Sequence, residues 1–458
     1  MATALPVRRM AAAPGCPPVP SRRPAAIPPD LLIPATAFTA ALAREGLLVA
    51  GLLILANGID DLAMDAAWPL ACLKRRPPAP PARPARFAIL IPAWDEAAVI
   101  GHMLRRLLAT LDHPRFHVFV GVYPNDPATR AALAEISDPR LTVVETDAPG
   151  PTTKAHCLNC LWRAVRAAEA GEGVDSGPFD AIVLHDAEDV LHPAELTVFE
   201  GALRDAAMLQ VPVLPIVDRP EAFIAGHYLD EFAQSHAKDM VVRSAFGAPL
   251  PSAGVGTALR RDALARLEGP DHAPFDPASL TEDYEIGYRL ATLGFPSRML
   301  RVRAGGRLVT VEEHFPDTLD AAVRQKSRWL TGIALAGWDR IGWQPGLLVR
   351  WLLFRDRKGI GTALLALGSY AVLALVLLHA LLAGLVARQT GVLPAPLLDP
   401  ERHGLTIALL AASSLLLVWR LTLRVAFTWK AAGPVRAMLA IPRAPVGNLV
   451  NALAALRA

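Results

Sequence analysis

Three carboxylates, Asp186, Glu188 and Asp189, follow directly on the apolar run Ala181-Ile-Val-Leu184. Hard oxygen ligands at this spacing suit Mg²⁺ or Mn²⁺ shared with a diphosphate. Such a metal would offset the charge on a departing nucleoside diphosphate. The same acids could instead cap the helical stretch Ala194 to Arg204. Upstream, Pro149-Gly-Pro-Thr-Thr-Lys154 opens a helical pattern, where backbone N–H groups and Lys154 could meet phosphate. A turn with a solvated lysine is the plainer alternative. Thr281-Glu282-Asp283 begins an amphipathic pattern running to Leu293. Asp283 could serve as a general base for an attacking hydroxyl, or simply favour the first turn of a helix. Gln325, Arg328 and Trp329 are spaced i, i+3 and i+4, so they share one helix face. The arginine can clamp a phosphate bidentately and the indole can carry a sugar ring. A glycine loop, Pro251-Ser-Ala-Gly-Val-Gly256-Thr257, is small enough for a bulky acceptor to approach, or is an ordinary turn.

These groups need a scaffold, and the pattern over 85–335 supplies one of the α/β class. Phe87 to Ile91, His117 to Val122, Leu141 to Val144 and Ala181 to Leu184 are short apolar runs of the kind that buried parallel strands show. Helical patterns at Ala97 to Leu111, Pro127 to Ile136 and Ala155 to Ala170 separate them, at the spacing of βαβ units. Ligands on such sheets bind beyond the carboxyl ends of the strands, where Trp94-Asp95-Glu96, Asn125-Asp126 and His185 to Asp189 fall. Cys157 and Cys160 form a CxxC, but no second pair exists among four cysteines, so core packing on a helix is the better reading.

Hydrophobic residues make up 53% of the 458-residue chain and the mean hydropathy is +0.32, too apolar for a purely soluble protein. A net charge of +3 gives no case for a nucleic-acid partner. Residues 1–30, rich in Pro and Arg, read as a disordered tail, and Pro77 to Pro84 as a stiff linker. Residues 31–73 read as an imperfect or tilted N-terminal membrane segment, broken by Arg44, Glu45, Asp60, Asp61 and Asp65; an interfacial helix is the alternative. After the interfacial stretch that begins at 336, two uncharged runs predict transmembrane helices at about 360–387 and 404–424. Basic residues flank their outer ends, which predicts a cytoplasmic catalytic domain and C-terminus, with the short loop between the helices outside.

The ordered motifs resemble those of inverting, membrane-bound family-2 glycosyltransferases of the cellulose- and hyaluronan-synthase type, with a GT-A core. They are most similar to the glycosyltransferase part of the bacteriophage adsorption protein B group. The resemblance rests on PAWDE (92–96), GVYPNDP (121–127), HDAEDV (185–190), PSAGVGT (251–257), SLTEDYEIGYRL (279–290), FPDTLDAAVRQKSRWL (315–330) and FRDRKG (354–359). It implies a donor site at Glu96, Asp126, Lys154, Asp186 and Arg328, and a metal, Mg²⁺ or Mn²⁺, at Asp186, Glu188 and Asp189. It further implies Asp283 as the base and an acceptor site at Gln325, Trp329, Gly256 and Thr257. Glu188 stands where the family's DxD motif has a second Asp, which brings Asp189 into consideration. Asp126 stands in YPNDP rather than in the common double-aspartate turn. The resemblance implies transfer from a UDP-sugar to a growing or lipid-linked glycan at the bacterial inner membrane, with an outer-membrane export partner. A polyprenyl-phosphate sugar transferase and a non-catalytic membrane scaffold are the alternatives. QKSRW opposes the first; intact Asp186, Asp283 and Arg328 oppose the second.

Overall fold

The computed structural model describes residues 28–74, 83–171, 177–269 and 273–458. The proline linker's residues 75–82 and nearly all of the N-terminal tail lie outside the described residues.

The strands form where the sequence is apolar without interruption. β1 (Phe87–Pro92), β2 (Phe116–Val122) and β4 (Ala181–Leu184) lie at the sheet's centre, and Phe87, Ile89, Val118, Val120 and Val183 are completely buried. Burying each such side chain is worth about 1.5–3 kcal/mol. β3 (Leu141–Glu145), β5 (Met208–Gln210), β7 (Thr257–Arg260) and β8 (Ser297–Met299) complete a seven-stranded sheet in the order β3-β2-β1-β4-β7-β5-β8. β1, β2, β3 and β4 are mutually parallel, while β7 runs antiparallel to both β4 and β5. β6 (Val213–Ile216) pairs in parallel with β11 (Val311–His314), and β9 (Arg303–Ala304) with β10 (Arg307–Leu308) forms a small hairpin.

Helices α2 (Ile100–Thr110), α3 (Pro127–Ala134) and α4 (Lys154–Ala170) alternate with the first strands. Then come α5 (Glu195–Glu200), α6 (Phe223–Gln234), α7 (Met240–Ala245), α8 (Arg261–Ala265), α9 (Glu282–Thr292), α10 (Leu319–Leu330), α11 (Gly337–Ile341) and α12 (Leu347–Arg357). A π-helical turn, Ser235–Asp239, joins α6 to α7, and another, Thr331–Ala336, joins α10 to α11.

Three helices are long and apolar enough to cross a membrane: α1 (Pro29–Leu73), α13 (Gly359–Thr390) and α14 (Gly404–Ala432). α1 is one continuous helix of 45 residues. At 1.5 Å per residue that is about 68 Å, twice what the hydrocarbon layer needs. Its aspartates explain the excess. Asp60 accepts from Arg355 and Lys358, both at 2.6 Å; Asp61 pairs with Arg420 at 2.9 Å; Asp65 pairs with Lys238 at 2.5 Å. Asp60, Asp61 and Asp65, which interrupt the apolar pattern, therefore bolt α1 to the catalytic domain and to its neighbouring helices. In the apolar half, Gly46, Gly51 and Gly58 lie against Val372, Leu409 and Leu416. A Cβ at Gly58 would come within 2.1 Å of the Leu416 side chain, so the close approach of α1 and α14 requires glycine there.

The chain then turns back onto the catalytic domain through α15 (Pro434–Met438) and α16 (Ala440–Arg457). Arg443 is completely buried and pairs with Asp230 of α6 at 2.7 Å. Asn451 and Glu231 both hold Lys326 of α10, at 2.8 and 2.6 Å. α16 thus clamps the helix that carries Gln325, Arg328 and Trp329.

Candidate active site

At the carboxyl end of β1 the chain turns at Trp94-Asp95-Glu96. Asp126 holds this turn. Its Oδ2 accepts the Asp95 N–H at 2.7 Å, and its Oδ1 accepts the Thr129 N–H at 3.1 Å as the cap of α3. Both oxygens of a side chain that is 7% exposed are therefore engaged within the protein. Asp126 is the cap that the helix starting at Pro127 needs at its N-terminus. Glu96 faces a cavity of about 250 Å³ together with Trp94, Tyr123, Thr152, Lys154, Asp186 and Glu188. Trp94 lies on Gly150, where a Cβ would come within 2.2 Å of the indole. Asn125 exchanges two hydrogen bonds of 2.7 Å with the Gly150 backbone, and Tyr123 Oη lies 2.8 Å from Thr152 Oγ1. The loop before α4 is thus fixed against β1 and β2.

That loop delivers Lys154, the first residue of α4. Its Nζ is 2.5 Å from Asp186 Oδ1 and donates to Gly254 O at 3.3 Å. Burial opposes its charge, but Asp186, Glu282 and Asp283 outweigh burial and hold the ammonium protonated well above the ordinary lysine range. Around it the acids are crowded. Burial, followed by the charges of Glu188 and Asp186, pushes Glu96 up to about 7. Glu188 is raised by burial and by Asp186. Glu313, on β11, is raised well above the carboxylate range by burial and by Asp189 and Asp186. No motif announces Glu313. It arrives beside the cluster because Val190 and Glu312 exchange backbone hydrogen bonds of 2.8 and 3.0 Å.

Asp189 is placed differently from Asp186 and Glu188. Its side chain is wholly buried, and its Oδ2 accepts from His185 Nδ1 at 2.7 Å and from the Asp186 N–H at 3.0 Å. His185 also meets Glu195 at 3.0 Å. Burial would neutralise this imidazole, but Glu195 and Asp189 push its pKa up to about 10. Asp189 therefore braces the turn that presents Asp186, while its Oδ1 is buried without a partner.

A second cavity of about 440 Å³ shares Thr152, Lys154 and Asp186 with the first and is lined besides by Glu282, Asp283, Glu313, Phe232, Phe315, Gln325, Arg328 and Trp329. Asp283 Oδ1 accepts the Tyr284 N–H at 2.7 Å. Burial raises its pKa, against the charges of Lys154 and Arg328. Glu282 is pushed up to about 7 by burial and by Asp283. Gln325 Oε1 is buried without a partner. Arg328 Nη1 donates to Leu280 O at 3.1 Å. The Trp329 indole stands 6.1 Å from the Tyr228 ring centroid and 6.4 Å from those of Phe232 and Phe315. Gln325, Arg328 and Trp329 thus open on the same cavity as Asp283.

Two expected acceptor residues lie elsewhere. Thr257 is completely buried on β7 and donates to Gln210 Oε1 at 2.7 Å. Gly256, at φ +57°, leaves no room for a Cβ between Val311 and Val211. Both build the framework. In the same loop Gly254, at φ +80°, is the residue that meets the site: a Cβ there would lie 2.6 Å from Asp283 Oδ2. From α12, Asp356 of the FRDRKG segment accepts from Tyr284 at 2.9 Å, from Tyr288 at 2.8 Å and from Arg243. The helix that carries Asp283 is in this way tied to α12.

The model of the glycosyltransferase-like family 2 matches residues 84–332. The chain is 34% identical over 445 residues to bacteriophage adsorption protein B of Escherichia coli strain K12, and equally to bacteriophage N4 adsorption protein B of Escherichia coli O157:H7. Each alignment covers 88% of this chain and 57% of the relative, so the chain spans somewhat over half the length of these curated relatives. Among solved structures, a mannosyltransferase from Pyrobaculum calidifontis, in complex with GDP-mannose and Mn²⁺, aligns with a TM-score of 0.50 at 20% identity. That alignment covers 86% of this chain and 99% of the mannosyltransferase, and it identifies the fold as GT-A.

Proposed function

From its membership of glycosyltransferase family 2, to which this chain belongs, we propose that it is an inverting transferase that moves a sugar from a UDP-sugar to a growing or lipid-linked glycan. It would act at the cytoplasmic face of the bacterial inner membrane, in exopolysaccharide synthesis and export with an outer-membrane partner. One observation carries this reading. Asp283 shares a cavity with Gln325, Arg328 and Trp329, and Lys154 and Asp186 line both that cavity and the one that Glu96 faces. A donor and an acceptor can then meet at Lys154 and Asp186.

The donor set fits a hard divalent cation. Asp186 and Glu188 follow β4 and Glu313 lies on β11, all three offering carboxylate oxygens, and the raised pKa of Glu96, Glu188 and Glu313 marks an excess of negative charge that Lys154 alone does not offset. Asp186 and Glu188 would hold Mg²⁺ or Mn²⁺, which when bound supplies charge neutralisation to the leaving diphosphate. Trp94 and Tyr123 wall the nucleotide side, and Glu96 lies where a ribose or base would reach. Lys154 and Arg328 bring positive charge to the diphosphate. Trp329 offers its indole to the acceptor ring, and Gln325 Oε1 offers an acceptor for a sugar hydroxyl. Asp283 takes the proton of that hydroxyl as it attacks the anomeric carbon from the face opposite the diphosphate; single displacement inverts the centre. Its raised pKa suits this role, since a stronger base removes the hydroxyl proton more effectively.

Release of nucleoside diphosphate from a panel of labelled UDP- and GDP-sugars in membrane vesicles tests the proposal. We expect turnover with a UDP-sugar, abolished by EDTA and restored by Mg²⁺ or Mn²⁺. Turnover confined to GDP-sugars would overturn the donor assignment, and full activity in EDTA would overturn the metal.

A further inference from the structure

Beneath the donor-side loop lies a group of side chains that the transferase reaction does not use. Asp147 follows β3, and His156 and Cys160 occupy successive turns of α4 on one face, at i and i+4. Asp147 Oδ1 lies 2.9 Å from His156 Nε2 and 3.7 Å from Cys160 Sγ, and His156 Nε2 lies 3.8 Å from that sulfur. Among the described residues, this is the only trio of His, Cys, Asp or Glu whose ligand atoms all lie within 4.8 Å of one another. Tetrahedral zinc with bonds of about 2.0–2.1 Å to N and O and about 2.3 Å to S needs edges of about 3.3–3.6 Å. The three observed separations come within a few tenths of an ångström of that triangle.

We propose that Asp147, His156 and Cys160 form a zinc site that clasps the loop carrying Thr152 to helix α4, which begins at Lys154. The chemistry of the surroundings agrees. Carboxylate, imidazole and thiolate are zinc's usual protein ligands, and one carboxylate with one thiolate balances the ion's two charges. Binding displaces the Cys160 thiol proton to solvent. Arg163 donates to Asp147 Oδ2, the oxygen turned away from His156, and lies 3.2 Å from Cys160 Sγ. It therefore leaves Oδ1 for the metal and holds the ligating carboxylate in place from behind, as partners of metal ligands commonly do. Cys160 is 5% exposed, whereas the Asp147 side chain is 56% exposed, so the fourth vertex opens toward water. Cys157 takes no part: its sulfur packs against Gly121 in the core. The consequence is local. Thr152 and Lys154 line both cavities of the active site, and fixing Asp147 to α4 fixes the loop between them.

Cobalt titration of the full chain in detergent tests the site, because a cysteine thiolate gives Co²⁺ a near-ultraviolet charge-transfer band and an all-oxygen site does not. We expect a band that saturates at one equivalent, that Zn²⁺ displaces, and that Asp186→Asn and Cys157→Ala retain. Cys160→Ser and His156→Ala should each abolish it, and Zn²⁺ should raise the melting temperature of the wild type but not of His156→Ala. The absence of a band in the wild type, or its survival in Cys160→Ser, would overturn the site. Neither result bears on the transferase reading, which nucleotide release measures separately.

Discussion

Gly254→Ala changes one hydrogen into a methyl and should nearly silence the enzyme while leaving it folded. The added Cβ would sit 2.6 Å from Asp283 Oδ2, whereas ordinary contact begins at 3.4 Å, so the carboxylate must retreat by about 0.8 Å. Asp283 cannot give way freely, because its Oδ1 accepts the Tyr284 N–H and its helix is tied through Tyr284 to Asp356. A misplacement of about 1 Å can cost about a hundredfold in rate. Turnover should therefore fall on the order of tens- to a hundredfold, a barrier increase of about 2–3 kcal/mol. The φ of +80° adds a separate cost, since an alanine in the left-handed region loses about 1–2 kcal/mol of stability. Gly306→Ala separates the two effects. Gly306 has a φ of +79° with no atom within 4 Å of its would-be Cβ, so it should lower stability to the same extent and leave turnover intact. Initial rates, thermal melts and UDP titrations on both variants make the comparison. If Gly254→Ala keeps turnover within a few-fold of wild type, or if Gly306→Ala is equally inactive, the placement of Asp283 against this loop is not what limits catalysis.

Two more expectations concern charge and orientation. Glu96 ionises near pH 7, so the folded protein holds protons there that the unfolded chain has already lost; stability should fall as pH rises from about 4.5 through 7, and cations should relieve the loss. Binding of UDP with Mg²⁺ at pH 7 should then release up to about half a proton from Glu96, read as a dependence of calorimetric heat on buffer ionisation enthalpy, and Glu96→Gln should reduce it; buffer-independent heats would refute this. By the positive-inside rule, the basic residues flanking α13 and α14 predict Pro396 outside and Ala458 inside. A cysteine at Pro396 should react with an impermeant thiol reagent in whole cells and one at Ala458 should not, and the reverse labelling would overturn a cytoplasmic active site.

The sequence announced the parallel half of the sheet because β1, β2 and β4 are buried on both faces, and their apolar runs match the strands to within a residue. The antiparallel half was silent. β5, β7 and β8 have only three or four residues each, and Gln210 and Thr257 are buried polar residues that satisfy one another. Asp60, Asp61 and Asp65 of α1 obscured a continuous helix, since their partners Lys238, Arg355 and Arg420 lie far away in the chain. Site residues followed the same rule. Lys154, Asp186, Asp283, Gln325, Arg328 and Trp329 stand at strand ends and helix starts or share a helix face, and they were legible and converge. Asp126, Asp189 and Thr257, in the same motifs, also make hydrogen bonds within the framework, which depends on which way each side chain turns, and Gly256 packs between Val211 and Val311. Glu313 was missed because its short strand has no motif. The CxxC spacing concealed that Cys160 looks not to Cys157 but to His156 and the loop residue Asp147.

Asp283 as the base is the claim on which the mechanism turns, and Asp283→Asn examined for UDP affinity and turnover on one purified sample tests it most directly. A base acts only as the hydroxyl attacks, so its loss should remove stabilisation of the transition state alone. The account predicts that kcat falls by orders of magnitude while UDP binds with nearly wild-type affinity. If UDP affinity falls in proportion to turnover, Asp283 serves the donor site or the fold, and the proposed displacement is wrong.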